Sequence, residues 1–230
     1  MPILDTLRPT PNLRVLVTAG ASGVGAAIAR AFCEAGSRVH VCDIDRAALD
    51  RLHVDVPGIT GSMADVSVDA DVDLVFDDIR GTLGGLDVLV NAAGITGPAA
   101  AIERIERSGW ERTIAVNLNS LYYFARRAVP MLRQSRAGPS MIAVGSGIGT
   151  VRSCNAPHAL TRWAIVGLVK SLAFELGVDG IRVNAILPGA TAENVASLAL
   201  FLCSPAARCV TGQAISLGTF SGARPAPLSG

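Results

Sequence analysis

Short β-branched or apolar runs alternate along this chain with longer amphipathic segments, and that alternation restricts the fold more than any other feature. The runs are RVLVT (14–18), RVHVC (38–42), DVLV (87–90), SMIAV (140–144), IRVNAIL (181–187) and AISL (214–217), with a weaker one at 59–64. Helical spacing fits 24–35, 46–52, 69–82, 110–133, 158–176 and 193–203. Strict βα alternation predicts a parallel sheet covered by helices on both faces. The first dozen residues and the Pro-, Gly- and Ser-rich tail from 218 to 230 are expected to be loosely held. There is no fixed-period repeat and no interior linker, so residues 1–230 are expected to form one domain.

The most informative local pattern is VLVTAGASGVGAAIARAF at 15–32, a strand that runs into glycines and then into a small-residue helix. Gly20, Gly23 and Gly25 would let the backbone turn tightly and approach a pyrophosphate at the positive helix N-terminus. An ordinary Gly-rich βα turn would share that pattern, but Asp43 ends a second strand roughly 20 residues on, where its carboxylate can accept from adenosine ribose hydroxyls. The same carboxylate would repel a 2′-phosphate, and Ile44 rather than Arg follows it, so NAD is expected in preference to NADP.

Composition removes other classes. The formal net charge is +1, which leaves no whole-chain footprint for nucleic acid or an anionic membrane. No apolar stretch approaches about 18 residues, so no membrane span is expected. Five cysteines without a CxxC pair and three scattered histidines indicate neither a disulfide framework nor a metal site. That cysteine usage points to a reducing cytoplasm, and the start carries Asp5 and two prolines flanking Thr10 where a signal peptide would need a basic start and an apolar run.

Taken together, these motifs resemble the classical short-chain dehydrogenase/reductases from about Leu13 to about Leu217. The family's TGxxxGxG loop is matched by Thr18, Ala19, Gly20, Ala21, Ser22, Gly23, Val24 and Gly25, with Ala19 in place of the first glycine and Gly20 beside it to keep the turn. Asp65 and Val66 resemble the adenine-binding pair, and NAAG at 91–94 (Asn91, Ala92, Gly94) resembles the motif after the fourth strand. Asn117 matches the helix Asn that holds a catalytic water, Ser146 the serine that hydrogen-bonds the substrate oxygen, and Pro188 and Gly189 the end of the sixth strand. The resemblance implies a doubly wound α/β Rossmann fold with a seven-stranded parallel sheet. It also implies hydride transfer between a nicotinamide and an alcohol or carbonyl, and a homodimer or homotetramer built through the helices at 110–133 and 158–176.

Three departures bear on function. The family's YxxxK pair is replaced by His158 and Arg162, in a window that aligns without gaps through Gly167 and Leu168. An imidazole exchanges protons in the neutral range, so His158 is eligible as the acid-base group. Arg162 keeps a positive charge for ribose hydroxyls but not the compact shape of an ammonium. Lysine cannot be supplied from elsewhere: of 20 basic residues only Lys170 is a lysine, and it lies about 12 Å along the helix from Arg162. The second departure is a deletion, since only Ala190, Thr191 and Ala192 separate Gly189 from the next helix at Glu193, where the family places a substrate lid. The third is Gly218-Thr219-Phe220 in place of the family's Asp-Gly-Gly ending. Two readings follow: an NAD-dependent oxidoreductase using Ser146, His158, Arg162 and Asn117, or a cofactor-binding, catalytically impaired pseudoenzyme or interaction subunit.

Overall fold

The computed structural model describes residues 3–145 and 155–218. Seven parallel strands form one sheet: β1 (Arg14–Thr18), β2 (Arg38–Asp43), β3 (Thr60–Met63), β4 (Val88–Asn91), β5 (Ser140–Val144), β6 (Arg182–Leu187) and β7 (Ala214–Ser216). Their order is β3-β2-β1-β4-β5-β6-β7, so the direction of winding reverses between β1 and β4. In an open α/β sheet the crevice at the carboxyl ends beside that reversal is where ligands bind.

Strand parity explains the layers. Val15 and Val17 of β1, Val88 and Val90 of β4, and Ile142 of β5 point to one face, where Ile28, Ala29 and Phe32 of α2 (Gly23–Glu34) meet Leu49 and Leu52 of α3 (Arg46–Asp55) and Val195 and Ala199 of α8 (Ala192–Leu202). The intervening Leu16, Leu89, Met141 and Ala143 point to the other face. There they pack on α4 (Asp69–Thr82), α6 (Ser120–Leu132) and α7 (Ala156–Leu176) through residues such as Phe76, Phe124 and Val169. Successive side chains of a strand alternate faces, and with both faces covered the strands read as continuous apolar runs. At the end of the sheet away from the crevice, Asp87 fixes β1 beside β4 by accepting from Arg14 Nη2 (2.7 Å), Arg14 Nε (2.9 Å) and Ser135 Oγ (2.6 Å). Burial pushes the Asp87 carboxyl up, but the Arg14 and Ser135 donors outweigh it and hold the group below its ordinary range.

The expected elements are present, with differences at their ends. A single turn, α1 (Ile3–Thr6), forms within the segment expected to be loose, and α3 continues to Asp55 rather than Leu52. The helix expected at 110–133 begins earlier, as α5 (Arg107–Ile114), passes through a π turn at Ala115–Asn119, and continues as α6. That wider turn is invisible to a 3.6-residue pattern, and such turns recur at functional sites. No described helix is long and apolar enough to cross a membrane.

Candidate functional site

At the carboxyl end of β1 the backbone turns through Ala19, whose φ is +48°. The expectation that Gly20 would absorb this turn is therefore corrected. Gly20 is required for closeness, because a Cβ there would lie 2.6 Å from Val41 Cβ. Gly25 has the same duty, since its Cβ would meet the Ala19 carbonyl oxygen at 2.0 Å. Gly23 differs from both: its φ is +53° and a Cβ there would point into open space. Ser22, the cap residue of α2, makes no side-chain cap bond. The helix N-terminus thus presents its backbone N–H groups at an uncluttered surface suited to a pyrophosphate.

Asp43 ends β2 and is held in place, its Oδ2 accepting from Ala21 N (3.1 Å) and its Oδ1 from Asp45 N (3.1 Å). It lines a cavity of about 150 Å³ with Ile44, Asp65, Val66, Gly94, Arg112 and Val116. Asp65 accepts at Oδ1 from the Ser67 N–H (2.9 Å) and hydroxyl (2.7 Å), and its Oδ2 pairs with Arg112 Nη2 at 2.9 Å. Burial raises the Asp65 carboxyl, but these donors overcome that and hold it below its usual range.

A second cavity, of about 240 Å³, lies across the shared wall of Ala93, Gly94 and Ile95. Val24, Ala92, Asn117, His158, Arg162 and Pro188 line it. The backbone of Ile95 is its organising element. Asn117, set inward by the π turn, accepts from Ile95 N (2.8 Å) and donates to Ile95 O (2.9 Å), with a further bond to Thr161 Oγ1 (3.3 Å). His158 Nδ1 lies 3.1 Å from the same Ile95 oxygen. A carbonyl only accepts, so Nδ1 carries the hydrogen in this contact and Nε2 is the nitrogen left for proton exchange in the neutral ring. Arg162, one turn along α7, is buried to 7 % exposure, and burial pulls its guanidinium pKa down. It nevertheless stays cationic at working pH.

Other expected residues take different places. Thr18 is 1 % exposed, and its hydroxyl accepts from Ala92 N (3.0 Å) and Ala93 N (3.1 Å), so it pins the shared wall from beneath. Asn91 is buried at the end of β4 and lines neither cavity. Gly189 serves close approach, because a Cβ there would meet the Leu217 oxygen at 2.3 Å. Thr191 caps α8 by accepting from Asn194 N, and only residues 188–191 join β6 to that helix. Lys170 donates to the Gly212 oxygen and lines neither cavity. Ser146, Thr219 and Phe220 lie outside the described residues.

Two contributors were not anticipated. Asn155 caps α7 by accepting from His158 N (3.3 Å) while its Nδ2 donates to the Thr96 oxygen, so it ties the start of the His158 helix to the Ile95 wall. An Asn two residues before Pro157 is a helix-start signal that would have found it. Arg112 has no such local signal, since its partners lie far away in sequence. Among the described residues no group of three His, Cys, Asp or Glu side chains could hold a metal ion.

Residues 18–192 match the family model described as enoyl-(acyl carrier protein) reductase. The chain is 34% identical over 176 residues to an L-fucose dehydrogenase of Bos taurus, a match covering 76% of this chain and 64% of that protein. It is 32% identical to a tropinone reductase homolog of Arabidopsis thaliana, covering 89% of this chain and 90% of that protein. The latter alignment runs over 239 positions against 230 residues here, so that relative carries additional residues inside the matched span. Among solved structures, a 3-ketoacyl-(acyl-carrier-protein) reductase from Brucella melitensis complexed with NADH superimposes with a TM-score of 0.85 at 29% identity, covering 89% of this chain and 96% of that one.

Proposed function

The chain belongs to the short-chain dehydrogenase/reductase family, and from that premise we propose that it is an NAD-dependent alcohol/carbonyl oxidoreductase in which His158 moves the proton at the substrate oxygen. The observation that carries this reading is the His158 Nδ1 contact to the Ile95 carbonyl, beside Asn117 and Arg162 in one cavity. The nicotinamide, when bound, would take a hydride from an alcohol carbon or return one to a carbonyl carbon. In the oxidation direction, neutral His158 Nε2 accepts the hydroxyl proton, and the resulting cation keeps its Nδ1 hydrogen on the Ile95 oxygen. In reduction the same Nε2 gives the proton back. Asn117 holds the Ile95 backbone at both its N–H and its C=O, which keeps the imidazole's anchor fixed.

The two cavities flanking the 93–95 wall suit the two ends of a dinucleotide, with the pyrophosphate over Gly23 at the start of α2. Asp43, Ile44, Asp65, Val66 and Val116 would hold the adenosine half, and Arg162 with Ala92, Gly94 and Pro188 the nicotinamide half. Ser146 is proposed on its motif alone to orient the substrate oxygen. Asp43 presents a fixed carboxylate where a 2′-phosphate would sit, which favours NAD over NADP. A homo-oligomer is proposed through α6 and α7, where Tyr122, Leu160, Trp163 and Phe174 stand exposed.

The test pairs binding with turnover. NAD is expected to raise the melting temperature more than NADP, and a panel of alcohols, L-fucose among them, is expected to reduce NAD. Folded protein that shifts with neither nucleotide overturns the cofactor assignment.

A further inference from the structure

The adenosine-side cavity is bordered by a side chain that the local motifs do not reveal. Arg112 extends from α5 to the loop after β3, where Nη2 meets Asp65 Oδ2 at 2.9 Å and Nη1 donates to the Ser67 hydroxyl. Asp65 is itself held by two bonds from Ser67, so the guanidinium that α5 sends across is fixed on the loop after β3. Its side chain is 46% exposed, which places it at the rim. An ion pair so placed on an open surface would contribute little to stability. A guanidinium hydrogen-bonds along its edge, however, and leaves its two flat faces free to stack on an aromatic ring. Val66, Val116 and Ile95 supply apolar surface in the same cavity.

We propose that Arg112 is a positioning residue for the adenine base: oriented by Asp65 and Ser67, its guanidinium plane covers the base in the cavity formed with Val66 and Val116. The proposal rests on the nicotinamide-dinucleotide reading above and goes further by assigning a recognition role to a side chain outside the glycine loop. It also gives the Asp65–Arg112 pair a function. Two of its N–H donors are engaged by Asp65 and Ser67, which orients the plane that meets the base.

Calorimetric titration of the full chain with NAD, with ADP-ribose and with nicotinamide mononucleotide tests this, using wild type, Arg112→Ala and Arg112→Lys. Both variants should weaken NAD and ADP-ribose by about tenfold, the scale of one lost base stack, and leave the mononucleotide, which has no adenine, unchanged. Melting temperatures measured alongside confirm that the variants are folded. Wild-type affinity for ADP-ribose in Arg112→Ala overturns the proposal. So does full recovery in Arg112→Lys, which would assign the effect to charge rather than to the plane, or a parallel loss of mononucleotide binding. Wild-type protein that binds neither NAD nor ADP-ribose instead overturns the cofactor reading, and this inference with it.

Discussion

Ala19 shows how one residue can depart from a motif while the fold keeps its shape. The backbone needs a left-handed residue where β1 meets the glycine loop, and Ala19 supplies it at φ +48°. A non-glycine residue there costs about 1–2 kcal/mol, partly offset by the lower chain entropy of alanine in the unfolded state. Ala19→Gly should therefore stabilise the protein by about 1 kcal/mol and raise the melting temperature by roughly 2–4 °C. An unchanged or lowered melting temperature would show that the turn carries no strain. The motif showed that a glycine was missing, but not which residue would bear the positive φ. Gly20 is needed instead for closeness, since atoms of Val41 and Val17 leave no room for a Cβ there. His158 and Arg162 were legible because a gap-free window placed them. Arg112 was not, because its meaning depends on Asp65, which reaches it only through the fold.

At the level of elements, the alternation of apolar runs revealed the strands well: β1, β5 and α4 occupy their expected residues. It missed the π turn, which shifts Asn117 inward against Ile95. The edge of the sheet carries a further consequence of strand parity. His40 shares its β2 face with Cys42 rather than with Val39 and Val41, so it is buried toward α4. Its Nδ1 lies 2.8 Å from Thr60 Oγ1 and its Nε2 2.8 Å from Ser62 Oγ, and the Ser62 hydroxyl donates to Asp78 at 2.5 Å. Burial lowers the His40 pKa from 6.5 to about 4, against a smaller opposing pull from Asp78. The unfolded chain therefore takes up this proton at a higher pH than the folded one. Stability from neutral His40 is present above pH 6.5 and is lost as pH falls toward about 4. Urea unfolding at pH 7 and pH 5 should show that loss, at up to about 1.4 kcal/mol per pH unit, and His40→Gln should flatten it. Equal slopes in the two proteins would remove His40 as the cause.

The whole molecule joins a complete parallel sheet to a cleft with a short border. Only residues 188–191 connect β6 to α8, so no long segment there covers the His158 cavity. The sequence disclosed this shortening because its spacing could be counted, while the substrate stayed unread because pocket shape is set by residues brought together from many elements. On the outer side of α7, Leu160, Trp163 and Phe174 recur at helical spacing with exposures of 46%, 66% and 90%. The homo-oligomer proposed above would bury this stripe. Trp163→Glu should convert a homo-oligomer to monomer in sedimentation velocity, whereas a wild-type chain that sediments as a monomer would contradict that assignment. The claim on which the rest turns is that His158 moves the substrate proton. Its most direct test is the rate of NAD-coupled turnover in wild type and His158→Ala at saturating NAD, with the NAD-induced melting shift measured on the same samples. A rate lowered by about 10² to 10⁴ with the melting shift retained is expected; equal rates in the two proteins would remove His158 from proton transfer.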